Sequence, residues 1–262
     1  MTPVQRRVTV WLAAAGAIAL TVWLGCWQLG RAEQKRAAHA ELLMRQQQAP
    51  WSGADWPCGP AQDGATTLPA YRPVVLRGHW LADRTVLLDN RPMDGLSGFI
   101  VVTPLRLSDA SAGCAHGLVL VQRGWVPRDV QDRLRLPALP TPSGEVQVRG
   151  RVMPGLSQTY QLGQEATAVS GPAPVVRQNA DVAFWSNWLG QSPLAGAVLQ
   201  LHPEGQTVQT DKLLRHWPEP GQGQDKHLAY AAQWFAMAAV LVGLTLWFQI
   251  IRPRRQSSHV PT

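Results

Sequence analysis

Two long apolar stretches stand near the ends of this chain, and the middle is patterned differently. The first runs from Val8 to Leu29 and the second from Leu228 to Ile251, and neither contains Asp, Glu, Lys or Arg. A helix needs about 20 mostly apolar residues to cross a bilayer core. A soluble core helix of that length would show a polar face. The pattern therefore predicts membrane-spanning helices over 8–29 and 227–251. The first is read as an uncleaved anchor. Its apolar run is longer than a signal-peptide core, "LGCWQLGRAEQKR" offers no small-x-small cleavage site, and no Arg- and Ser-rich presequence precedes it. "GRAEQKRAAHAELLMRQQQA" is rich in good helix formers, so the helix is expected to continue over 30–49 until Pro50 stops it.

Between the spans, 50–226 reads as a mainly β domain. It opens with the loop "WSGADWPCGPAQDGATTLP". Short β-rich runs follow: "YRPVVLRGHW", "RTVLLDNR", "GFIVVTPLRL" and "GLVLVQRGWV". "GEVQVRGRV" has the period of a half-buried strand, and "APVVRQ" and "GAVLQLHP" add one or two more. Asn90, Asp94 and Gly95 suit a turn between strands. "DVAFWSNWLG" predicts a short helix capped by Asp181. Six to eight short strands around one core predict a small barrel or sandwich. The expected class is thus an α+β membrane protein: two transmembrane helices flanking one mainly β external domain.

Charge sets the expected orientation. Arg6 and Arg7 precede the first span, and Arg252, Arg254 and Arg255 follow the second. The positive-inside rule then puts 1–7 and 252–262 in the cytoplasm and 50–226 in the periplasm of a bacterial inner membrane. Arg31, Lys35, Arg36 and Lys226 lie on the other side, but long domains translocate largely regardless of charge. The net charge of +7 is scattered, without basic runs interleaved with aromatics. That points to anionic membrane lipids and away from nucleic acid. The terminal segments are too short to hold the output domain of a sensor.

Three cysteines are present. Cys26 lies inside the first span and is expected to pack as a small hydrophobe. Cys58 and Cys114 fall in loops of the external domain, where an oxidising compartment would let them pair or leave them as separate thiols. There is no GxSxG, HExxH, P-loop or GxGxxG after a strand, and no CxxC or CxxxC. His39, His79, His116, His202, His216 and His259 are scattered. An enzyme is not expected.

Four blocks, "LGCWQLGRAEQK", "RTVLLDNRPMDGLSGFIVVTPL", "VLVQRGWVPRD" and "HLAYAAQWFAMA", together resemble the surfeit locus protein 1 family of cytochrome c oxidase assembly factors. Their order and the two-span layout resemble the family's too. The resemblance implies a non-catalytic role in maturing haem-copper oxidase. It implies that haem a is held transiently and placed in the catalytic subunit, with haem a synthase as a further partner. It also implies that His227 is the axial ligand of the haem iron. The alternative expectation is a cofactor-free scaffold that stabilises an oxidase subunit.

The residues themselves leave two readings open. His227, Tyr230, Ala231, Trp234 and Ala238 share one helical face. Tyr230 and Trp234 could flank a flat macrocycle, and Lys226 could meet a propionate; equally, such aromatics anchor helices at membrane interfaces. Trp27 and Gln28 should lie at the depth of His227. Trp27 could then form the opposite wall with Arg31 meeting a carboxylate, or the pair could be an aromatic belt with a snorkelling arginine. Only His227 among the histidines lies in the spans, and His39 is a poor second ligand. Trp125 is expected in a core or rim, with Arg123 and Arg128 as a conceivable docking surface. Ala13 and Ala17, Ala15 and Ala19, Ala232 and Ala236, and Ala239 and Gly243 have the small-xxx-small spacing of closely packed helices, in a hairpin or with a partner.

Overall fold

The computed structural model describes residues 2–59, 68–111, 114, 117–132, 135–160, 163, 174–202, 211–219, 221 and 223–252. His116, His259, Arg254 and Arg255 lie outside the described residues. Contacts divide the chain into a helical unit, Met1–Glu41 with Pro218–Thr262, and a β-rich unit, Leu42–Trp217.

Helix α1 spans Pro3–Gln46 without interruption. It stops a few residues before Pro50, whose ring disfavours helical backbone at Ala49. Helix α3 spans Gln224–Leu246, and its last turns loosen into a π-helix over Trp247–Ile251. Both are long and apolar enough to cross a membrane.

All seven expected β-runs form strands: β1 Pro73–Trp80, β2 Val86–Leu88, β3 Gly98–Leu107, β4 Leu118–Pro127, β5 Glu145–Met153, β6 Val175–Arg177 and β7 Ala197–Gln200. The sheet order is β1-β5-β7-β4-β3-β2-β6, with β1 also paired to β3. That extra pairing closes β1, β5, β7, β4 and β3 into a small barrel. Strand β3 manages it by being long. Val102, Val101 and Ile100 pair with β2, while Leu105, Arg106 and Leu107 pair with β1. Closure pairs both sides of those five strands, while the short β6, bonded to β2, stays at the edge of the β2–β6 extension. The turn between β2 and β3 uses left-handed backbone at Asn90, Asp94 and Gly95, as turn residues allow.

The core lies on both faces of β3 and β4. Leu105, Leu107, Val119 and Val121 point into the barrel with Val74, Leu76, Val148, Val152 and Val198. Ile100, Val102, Leu120 and Trp125 point to a second cluster that includes Phe184 and Trp185 of α2, Val182–Leu189. A β-bulge shifts the register of the pair, since Val101 faces Gly124 but Val102 faces Gln122. Arg123 is the extra residue. Strict alternation would put Trp125 on the side of Val119 and Val121; the bulge moves it across to Leu120.

Arg123 itself turns inward and is 1% exposed. Its guanidinium donates to Thr141 Oγ1 at 2.7 Å and to the Pro140 carbonyl at 3.1 Å. It lies 5.0 Å over the Trp80 ring. Asp211 pairs with Arg215, which donates to the Arg123 carbonyl. Burial pushes the Arg123 guanidinium down to about 10, against the opposing pull of Asp211. Arg123 is therefore part of the interior, which corrects its placement on a docking surface with Arg128.

The cap of α2 is as the sequence predicts. Asp181 Oδ1 accepts the Phe184 N–H at 2.7 Å, and Gly190 ends the helix in left-handed backbone. Asp181→Ala is expected to cost ~1 kcal/mol, and Asp181→Asn a few tenths. Chemical denaturation of the detergent-solubilised chain checks this. Equal midpoints for Asp181→Ala and the parent would mean that the cap contributes nothing.

Candidate functional site

In the helical unit, α1 and α3 meet as an antiparallel pair. Arg7 donates to the Gln249 carbonyl at 3.2 Å, Gly25 lies against Phe235, and His227 lies against Gln28. As residue numbers rise along α1, those of their partners on α3 fall. A Cβ placed on Gly25 would stand 2.8 Å from the Phe235 ring, so glycine is needed for that close approach. The inward positions are Thr21, Gly25, Gln28 and Ala32 on α1, and His227, Ala231, Trp234 and Ala238 on α3. Their spacing of three and four residues makes a continuous seam. Most of the expected small-xxx-small residues face outward instead: Ala13, Ala15, Ala19, Ala232, Ala236, Ala239 and Gly243 are exposed. The seam uses other small residues, because Gln28, His227, Phe235 and Trp234 fix the rotation of the two helices.

His227 sits in the first turn of α3, half-buried. Its Nδ1 is 2.7 Å from Gln28 Oε1. A carboxamide oxygen only accepts, so Nδ1 is the protonated nitrogen in this arrangement. In the Nδ1–H tautomer the lone pair sits on Nε2, which has no hydrogen-bond partner among the described residues. That is the electronic state of a metal ligand.

The remaining sequence-predicted residues divide. Trp234 and Ala231 lie on the seam with His227. Tyr230 is 52% exposed, which corrects its placement on one face with the half-buried His227 and Trp234 and the buried Ala231 and Ala238. Trp27 is 47% exposed, with the Arg31 guanidinium 5.6 Å over its ring. Arg31 also donates to Gln34 Oε1 at 3.1 Å. Trp27 and Arg31 thus form an outward pair on α1, and Gln28, not Trp27, faces the histidine. The sequence places Gln28 at the right depth without giving it a role. Its signal is phase: it falls three residues after Gly25 and four before Ala32.

Among the described residues, no three His, Cys, Asp or Glu side chains gather where they could hold a metal ion. A bare ion needs several protein donors. A lone imidazole with a free Nε2 fits a metal that carries its own equatorial ligands, as haem does. The donor chemistry of His227 therefore fits haem iron.

In the β-rich unit, Cys58 and Cys114 are joined in a disulfide, with Cα atoms 5.1 Å apart. An open groove of about 620 Å³ is lined by Asp89, Asn90, Leu96, Ser97, Arg128 and Asp129. Arg128 pairs with Asp89 there and covers the Phe99 ring. Hydrogen bonds from the Gln131 and Asp132 N–H groups hold the Asp129 carboxyl below the usual carboxylate range. The groove's charges are thus engaged with one another or with backbone.

A model of the SURF1 family matches residues 15–239. A SURF1-like protein of Monosiga brevicollis is 26% identical over 263 residues, spanning 92% of this chain and 88% of its own. A SURF1-like protein of Dictyostelium discoideum is 21% identical over 204 residues, spanning 70% of this chain and 73% of its own.

Proposed function

The chain belongs to the SURF1 family, and on that premise we propose that it is an assembly factor for haem-copper cytochrome c oxidase that holds haem a transiently at His227. The observation that carries the proposal is the contact of His227 Nδ1 with Gln28 Oε1 in the seam between two apolar helices, which leaves the Nε2 lone pair for a metal. Haem a is cargo in this reading. It would come from haem a synthase and pass to the oxidase catalytic subunit. The chain performs no covalent chemistry of its own. One protein ligand suits that task, because a carrier must release what it binds. Trp234 would flank the ring plane. Tyr230, Trp27 and Arg31 would stand at the headgroup level, where aromatic rings and a snorkelling arginine meet lipid.

Placement follows the same premise. Both helices would span a bacterial inner membrane, with the chain ends in the cytoplasm and the β-rich unit in the periplasm. The apolar residues that α1 and α3 expose support this, among them Leu12, Leu20, Trp23, Val240 and Leu244. They would otherwise face water. The disulfide supports an oxidising compartment for the β-rich unit.

The test is to purify the full chain in detergent from cells that make haem a. The parent is expected to show a Soret band, and His227→Ala to lose it. Haem retained unchanged in His227→Ala would overturn the ligand assignment. A parent without a Soret band under haem-replete conditions would favour the cofactor-free scaffold.

A further inference from the structure

We infer that Gln28 is the positioning residue of the His227 site: its carboxamide oxygen selects which imidazole nitrogen faces the metal and sets how strongly that nitrogen donates. This rests on the reading of His227 as the haem ligand.

A neutral imidazole has two tautomers, and only the one protonated at Nδ1 leaves Nε2 free to bind. The 2.7 Å contact from Nδ1 to Gln28 Oε1 stabilises that tautomer and stops the ring from turning. The contact lies within an apolar seam, beside Gly25, Ala32 and Ala231. The contact is part-buried, so water can replace some of the bond's strength but not the fixed orientation and tautomer that the carboxamide imposes. The position matters as well as the chemistry. Gln28 is on α1 and His227 on α3, so the hydrogen bond forms only when the hairpin is closed. The ligand is thus presented by the packed pair, not by either helix alone.

Histidines that bind metals almost always donate their other N–H to an oxygen acceptor. Losing that acceptor typically weakens metal affinity by about 10- to 100-fold. The acceptor also tunes the ligand. A neutral amide oxygen leaves the imidazole a moderate donor, whereas a carboxylate gives it imidazolate character and lowers the metal's reduction potential. A carrier is served by the weaker choice.

The experiment uses the full chain in detergent, titrated with haem a. Gln28→Leu keeps the size of the side chain and removes the acceptor. It is expected to bind haem a about 10- to 100-fold more weakly than the parent. Gln28→Glu keeps an acceptor and adds charge. Measured at alkaline pH so that the carboxyl is ionised, it is expected to bind haem a and to lower its reduction potential. A carboxylate that does not touch the imidazole and turns into water would shift that potential little. An unshifted potential in Gln28→Glu therefore overturns the inference, whatever Gln28→Leu does. Undiminished affinity in Gln28→Leu overturns it as well. His227→Ala separates the two levels. If it loses haem while the Gln28 variants behave like the parent, the ligand reading stands and the positioning role falls. If it keeps haem, the ligand reading itself falls.

Discussion

A Trp125→Ala chain is expected to lose ~3–5 kcal/mol of stability in its β-rich unit, the usual range for emptying a large aromatic site in a core. Trp125 is 1% exposed and packs with Ile100, Val102, Leu120 and Phe184. Its indole N–H donates to the Arg91 carbonyl at 2.7 Å. Removing the ring leaves that buried carbonyl without this donor, a further cost of about 1 kcal/mol or more. The surroundings are poorly placed to collapse into the space. Gly98 is glycine because a Cβ there would stand 2.4 Å from the Trp125 ring. The Arg91 guanidinium donates to the carbonyls of Asp89, Ser157 and Gln178 and so fixes the backbone around the cavity. Domains are stable by only about 5–15 kcal/mol, so the loss is a large share of the total. Trp125→Phe, which keeps most of the volume and loses the N–H, is expected to cost about half as much or less. Hydrogen exchange in β3 and β4 checks both variants. Parent-like protection in Trp125→Ala would show that the cluster does not depend on this ring.

The same residues show what was legible in the sequence. Alternation and turn chemistry carry the seven strands, because each is a local property of a few residues. Uninterrupted apolarity carries the two terminal helices in the same way. The choice between barrel and sandwich was not legible: it depends on β3 being shared lengthwise between β2 and β1. Neither was the bulge at Arg123. One extra residue in "VLVQRGWV" reverses the phase of everything after it, and it turns a charged side chain inward where Thr141, Pro140 and Asp211 receive it. An arginine beside a tryptophan looks like a surface until its partners, distant in sequence, are known.

The blocks that carry the family resemblance divide by role. "RTVLLDNRPMDGLSGFIVVTPL" and "VLVQRGWVPRD" interlock through Arg91, Trp125, Asp89 and Arg128. Their geometry explains them as scaffold. "LGCWQLGRAEQK" and "HLAYAAQWFAMA" meet at Gln28 and His227. Helical periodicity could place His227, Ala231, Trp234 and Ala238 on one face. It could not say that Trp27 looks outward, because the rotation of α1 is decided across the seam. One helical step of about 100° separates Trp27 from Gln28, and it decides which of them can touch the histidine.

A Cys58→Ser, Cys114→Ser double variant is expected to lose ~4 kcal/mol, the chain-entropy value for a loop of this length. The two cysteines are separated by 56 positions. Their bond ties the segment that follows α1 to the connection between β3 and β4. The tethered segment carries Trp56, which is 1% exposed and whose indole N–H donates to the Ala195 carbonyl at 3.1 Å. It also carries Gly53, whose N–H donates to Asp109. Without the bond, this stretch must stay on the barrel by those contacts alone. Part of the loss is therefore expected as local opening around Trp56, ahead of global unfolding. Thermal melting with and without reductant measures it. The parent should melt lower in reductant, and the double variant should melt low in both. Alkylation of the parent purified without reductant tests the compartment as well. Reaction of Cys26 alone before reduction, with Cys58 and Cys114 reacting only after it, agrees with a periplasmic β-rich unit, whereas three freely reactive thiols would argue against both the bond and that placement.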